Sequence, residues 1–101
     1  MGMLQVEKQK EGKTLIMSLI GKLDTVTAPQ LKETIDDSLL DADKLILDFR
    51  ELEYTSSAGL RVLLTVYKMM EERKGMIIRN VNGTIMQVFD SVGFTKLLKI
   101  E

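Results

Sequence analysis

Leu45-Ile-Leu-Asp-Phe-Arg-Glu-Leu-Glu-Tyr-Thr-Ser-Ser-Ala-Gly-Leu60 runs a short apolar strand into a serine pair. Behind the pair, Leu60, Leu63, Leu64, Tyr67 and Met70 recur at helical spacing, while Arg61, Lys68, Glu71 and Glu72 fall elsewhere. Lys44 to Phe49 is too short and too uniformly apolar in its middle for a surface helix, so it reads as a central strand parallel to its neighbours. The serines therefore stand where a helix begins. A helix start leaves backbone N–H groups without intrahelical partners and presents the positive end of the peptide dipole. A hydroxyl there can cap the helix and, once phosphorylated, hold its anion in place.

Upstream, Leu4 to Gln9 alternates apolar and polar, Thr14 to Ile20 is mostly apolar, and Lys10-Glu11-Gly12 separates them, the pattern of a β-hairpin. Thr27-Ala28-Pro29-Gln30 has capping-box spacing, Val26 and Leu31 occupy hydrophobic-staple positions, and Leu31, Ile35 and Leu39 share one helical face. A first helix is predicted from about Ala28 to Leu40. Downstream, Gly75 can close the serine helix and Met76 to Val81 forms the next strand. A last helix runs from about Thr84 to Val92 and ends at Gly93, with Phe89 and Phe94 placed to touch across the cap, before a short tail from Lys96 to Ile100. Hairpin, helix, strand, helix, strand, helix predicts an α/β fold: a mixed sheet whose right-handed crossovers put the helices mainly on one face. Loops beyond the strands' carboxyl ends then gather in one patch, bringing Asp24 to the Glu51–Ser57 turn.

At 101 residues and 45% hydrophobic content, the chain suits one domain, residues 1–101, with a single core and no room for a separate catalytic domain. Fourteen basic against fifteen acidic residues give a net charge of −1 without a basic stripe, which argues against nucleic acid and for protein partners. Cysteine and histidine are both absent, removing disulfides, thiol chemistry, the usual zinc ligands and the commonest general base; no cofactor or metal is expected. No apolar run approaches the roughly 18 residues of a membrane helix, and a signal-peptide core is lacking, so a cytoplasmic, membrane-free location is expected.

The segment Leu45 to Leu64, with Ser56-Ser57-Ala58-Gly59-Leu60-Arg61-Val62-Leu63-Leu64 at its end, resembles the signature of the STAS domain of bacterial anti-sigma factor antagonists. Gly21-Lys22-Leu23-Asp24 followed by Thr27-Ala28-Pro29 is similar to the family's other recurring segment, and Phe89-Asp90-Ser91-Val92-Gly93-Phe94 to its C-terminal helix end. Three spaced segments in the right order are more specific than any one of them. The resemblance implies a non-enzymatic, phosphorylation-switched module: unmodified, it sequesters an anti-sigma factor with a serine-kinase domain and frees a sigma factor. The kinase then modifies the serine, and a serine phosphatase resets it. The family's acceptor is the serine two residues before the glycine, here Ser57, with Ser56 as second choice because it replaces the aspartate usual at that position. The alternative is a STAS scaffold, or a small-ligand module, without a phosphoswitch.

Each candidate also has a plain structural role. Ser56 and Ser57 can be helix caps, a common duty of serine that contributes about 1 kcal/mol. Asp24 can shape its turn or cap the next helix, or, by the resemblance, border the phosphorylation site. Asp24, Thr25, Ser56, Ser57 and Arg61 together form the expected partner-binding set, with Arg61 on the exposed rim of its helix. Asp48 is expected to end its strand and accept loop amides. Of Met69 and Met70, one must point away from the core. Gly12-Lys13-Thr14 matches the tail of a P-loop but precedes a strand and has Glu7 where the first glycine belongs, so it reads as a hairpin turn. Ser57-Ala58-Gly59 matches half of a hydrolase nucleophile elbow, but Thr55 replaces the leading glycine and no histidine exists to take the proton.

Overall fold

The computed structural model describes residues 3–101. The strands β1 (Leu4–Glu11) and β2 (Thr14–Leu23) form an antiparallel hairpin closed by Gly12 and Lys13, with Gly12 at φ 61°. A positive φ at the first central residue is what a tight hairpin turn asks of glycine, and the P-loop-like triplet is this turn. There follow α1 (Thr27–Ser38), β3 (Lys44–Thr55), α2 (Ser57–Met70), β4 (Met76–Arg79), α3 (Gly83–Ser91), α4 (Phe94–Leu97) and β5 (Lys99–Ile100). The sheet order is β1-β2-β3-β4-β5, antiparallel in the hairpin and parallel thereafter. Because the sheet grows in one direction, right-handed crossovers bring the helices to one face, as the sequence predicts.

The core lies between that face and the helices. Leu15, Met17 and Leu19 of β2, Leu45, Leu47 and Phe49 of β3, and Met76 and Ile78 of β4 meet Leu31, Ile35, Leu63, Val66, Met70, Ile85 and Phe89 from the helices. Leu45 pairs with Leu15 and Met76, and Leu47 with Met17 and Ile78, so the period-two alternation of three adjacent strands is in phase. Phe49, Phe89 and Phe94 continue the packing, with ring centroids 6.1 and 5.9 Å apart. The Phe89–Phe94 contact lies across Gly93, whose φ of 80° reverses the chain after α3 as expected.

Several boundaries differ from the sequence reading. The capping box at Thr27 does not form: α1 begins at Thr27, its cap residue is Val26 with no side-chain hydrogen bond, and Val26 is 61% exposed, so it cannot staple onto Leu31. Asp24 does the capping instead. The strand expected over Lys44 to Phe49 continues to Thr55, and Asp48 therefore lies inside β3 and not at its end. The buried stripe of α2 is Gly59, Leu63, Val66 and Met70; Leu60, Leu64 and Tyr67 flank it half-buried. Met70 is fully buried and Met69 only partly so, the division expected of an adjacent pair. The strand β4 ends at Arg79, two residues before the expected Val81, and the tail folds into α4 and β5.

One irregularity positions the site. Between the pairs Thr14–Lys44 and Leu23–Thr55 the register shifts twice, at Ser18/Ile20 and at Gly21/Lys22, each time leaving an extra residue in β3. Such bulges bend and twist a strand and re-aim the residues beyond them. Here they carry β3 beyond β4, whose pairing with it stops at Asp48–Arg79, and deliver Thr55 and Ser56 beside Leu23 and Asp24.

Candidate functional site

The carboxyl ends of β2, β3 and β4 bring three turns to one end of the molecule. The first is built around Asp24. Its Oδ1 accepts from the backbone N–H groups of Val26 and Thr27, both at 2.9 Å, while the Thr27 hydroxyl accepts from the Asp24 N–H at 2.8 Å and donates to the Lys22 carbonyl at 2.9 Å. Asp24 therefore satisfies amides that α1 leaves unpaired at its start. The amide of Thr27, aided by that of Val26 and the Thr27 hydroxyl, holds the Asp24 carboxyl below the ordinary carboxylate range against an opposing effect of burial. Thr25 and Val26 face solvent on the outside of this turn.

The second turn carries the serine pair, and the two serines do different work. Ser56 is the cap of α2: its backbone is extended (φ −89°, ψ 175°) and its Oγ accepts from the Gly59 N–H at 3.3 Å. Its own N–H donates to the Leu23 carbonyl at 2.8 Å, tying the turn to β2. Ser57 is the first helical residue, is exposed, and among the described residues its hydroxyl engages no partner. Gly59 lies flat against the sheet: a Cβ there would stand 2.5 Å from the Thr55 Oγ1 and 2.7 Å from the Leu23 Cγ. Only glycine lets the helix approach this closely.

Beside the serines, α1 and α2 leave a groove of about 320 Å³ with a largely apolar floor that includes Ala28, Pro29, Ala58 and Val62. Thr25 lies at its edge, and Arg61 and Lys32 supply its two charges. The Lys32 ammonium is taken by Asp36 at 2.7 Å. Arg61 is exposed, and among the described residues no carboxylate pairs with it. The fold thus brings Asp24 to the serine turn, as the order of elements predicts, and places Thr25 and Arg61 on the groove beside it. Asp48 lies apart from this set, within β3, and accepts from the Arg50 N–H at 2.9 Å and the Asn80 Nδ2 at 3.1 Å.

The third turn was not foreseen. Asn80, at φ 59°, leads into Asn82, which caps α3 through Oδ1 to the Ile85 N–H at 2.9 Å and donates Nδ2 to the Leu52 carbonyl at 2.8 Å. That carbonyl lies on the part of β3 that has no β4 beside it, so Asn82 substitutes for the missing strand. Two asparagines around a short break, the second followed by glycine, are the signal that marks such a turn.

Among the described residues no helix is long and apolar enough to cross a membrane. The family model described as STAS domain matches residues 5–101. The chain is 28% identical over 100 residues to the anti-sigma F factor antagonist of Paenibacillus polymyxa, covering 96% of this chain and 86% of that one. Its fold is similar to the crystal structure of an anti-sigma factor antagonist from Mycobacterium paratuberculosis, with a TM-score of 0.87 at 21% identity over 97% of this chain and 85% of that one. It is similar also to the Bacillus cell fate determinant SpoIIAA in its phosphorylated form, with a TM-score of 0.74 at 22% identity over 98% of this chain and 91% of that one.

Proposed function

Because the chain belongs to the STAS domain family, we propose that it is an anti-sigma factor antagonist: unmodified, it binds an anti-sigma factor with a serine-kinase domain and thereby frees a sigma factor. Phosphorylation of Ser57 by that kinase ends the binding, and a serine phosphatase restores it. The observation that carries this reading is the division of labour between the serines. Ser56 is committed to capping α2, whereas Ser57 stands exposed and its hydroxyl engages no partner among the described residues. A phosphate on Ser57 leaves the cap intact and adds about −1.5 to −2 charges to the contact patch. The start of a helix tolerates that charge, while an acidic or closely packed partner surface opposes it. A coupling of about 1–3 kcal/mol shifts binding roughly 5- to 150-fold.

In this role the protein works in the cytoplasm by binding and not by catalysis, and the ATP belongs to the kinase. Partner contacts come from Thr25, Ser56, Ser57 and Arg61, with Asp24 shaping the patch. Incubation with a candidate anti-sigma kinase and ATP, followed by phosphopeptide mapping, tests the assignment. Phosphate on Ser57 is expected; phosphate only on Ser56 or Thr55 rejects it. The groove between α1 and α2 favours a second reading, a scaffold or small-ligand module without a phosphoswitch. Native mass spectrometry that detects a bound small molecule, together with no phosphorylation, would establish that alternative.

A further inference from the structure

We propose that Arg61 is a clamp in cis for a phosphate on Ser57, so that modification occupies the very cation the unmodified protein offers to an acidic group of its partner. The inference rests on Ser57 as acceptor and concerns what the phosphate touches. Ser57 and Arg61 stand four residues apart on α2. Residues at that spacing share a helix face, with Cβ atoms about 5–6 Å apart. Long side chains on a helix lean back toward its N-terminus, which puts the turn that holds Ser57 within reach of the Arg61 guanidinium.

The surroundings leave this pairing open. The Ser57 hydroxyl and the Arg61 guanidinium are each without a partner among the described residues, and both residues are exposed. Ala58, which follows Ser57 in sequence and lines the groove with Arg61, is too small to screen one from the other. From the facing helix, Lys32 is committed to Asp36 at 2.7 Å, and the Asp24 Oδ1 accepts from the amides of its own turn. Of the two charged residues lining the groove among the described residues, Arg61 is thus the one available to a new anion. Guanidinium matches phosphate with two parallel N–H···O bonds, a geometry an ammonium cannot reproduce. The phosphate therefore acts twice on a partner: it adds negative charge, and it withdraws Arg61 from any carboxylate across the interface.

The test needs neither kinase nor partner. Phosphoserine is installed at position 57 during translation, and the phosphate is titrated by phosphorus NMR in the otherwise native chain, in Arg61→Gln and in Arg61→Lys. Free phosphoserine titrates at about 6. The clamp predicts a midpoint lower by about 0.5 in the native chain than in Arg61→Gln, and an intermediate value for Arg61→Lys. Equal midpoints for the native chain and Arg61→Gln overturn the clamp. Because the phosphate is placed without the kinase, that result says nothing against Ser57 as the kinase target, and mapping of phosphate to another residue would remove the target without altering the measured contact. Arg61 is exposed and unpaired among the described residues, so both variants keep the fold.

Discussion

At the scale of single residues, the serine pair separates two duties that one residue alone would have to combine. Ser56→Ala removes the Oγ that accepts from Gly59 and is expected to cost about 1 kcal/mol in urea unfolding, whereas Ser57→Ala stays within about 0.5 kcal/mol. The functional order is the reverse. Ser57→Ala should bind the anti-sigma partner constitutively and Ser57→Asp should stay folded and bind poorly; if Ser57→Asp binds like the unchanged protein in calorimetry, the phosphoswitch gives way to the scaffold reading. Which serine caps was not legible in the sequence, because it depends on a one-residue placement of the helix start, finer than periodicity resolves. Asp24 was legible as a residue that shapes its turn or caps the next helix, and it holds the Val26 and Thr27 amides; what misled was the capping-box spacing at Thr27, three positions on and equally good as a cap type. The depressed pKa of Asp24 means that the ionised form stabilises the fold. This contribution is complete above the unfolded carboxylate value of about 3.9 and is lost as pH falls through that value and then through the lower folded one. Urea midpoints measured from about pH 6 down to about pH 3 should therefore fall more steeply for the native chain than for Asp24→Asn.

At the scale of elements, the hairpin, the buried middle of β3 and the helices were readable from period and length, and the parts that were missed lack either signal. Arg50-Glu51-Leu52-Glu53-Tyr54 looks like a loop because its strand pairs with β2 on one side only, leaving Arg50, Glu51, Glu53 and Tyr54 open to solvent. β5 has just Lys99 and Ile100, too few to show alternation. The end of α1 relies on a residue far away in sequence: the Arg73 guanidinium donates to the carbonyls of Leu39 at 2.6 Å and Ala42 at 2.7 Å. Leu39 is the C-cap of α1 and Ala42 lies in the turn that follows, so Arg73 fastens the exit from the helix. Arg73→Ala is expected to cost about 1.5–3 kcal/mol, and chemical denaturation of that variant beside Lys74→Ala, which has no such contacts, checks it.

At the scale of the whole molecule, the order of elements was enough to infer the sheet, because right-handed crossovers and a hairpin leave few ways to arrange them. What the sequence could not give was how closely the site is fastened to that sheet, since the bulges of β3 and the approach of Gly59 are long-range geometry. Native-state hydrogen exchange should find the Leu45–Leu47 amides slowest and the short pairing of β4 with β5 opening first, as burial and ladder length dictate. Gly59→Ala should lose about 1–3 kcal/mol, read as a lower urea midpoint, because the added methyl has no room against Thr55 and Leu23. That contact, with the bond from Ser56 to Leu23, also decides what kind of message the serine turn can send. A turn bolted to a strand has no slack to swing, so a chemical mark written on it works as a stamp and not as a lever. The reader must come to the stamp, and the specificity of the signal then resides in the shape of whoever reads it.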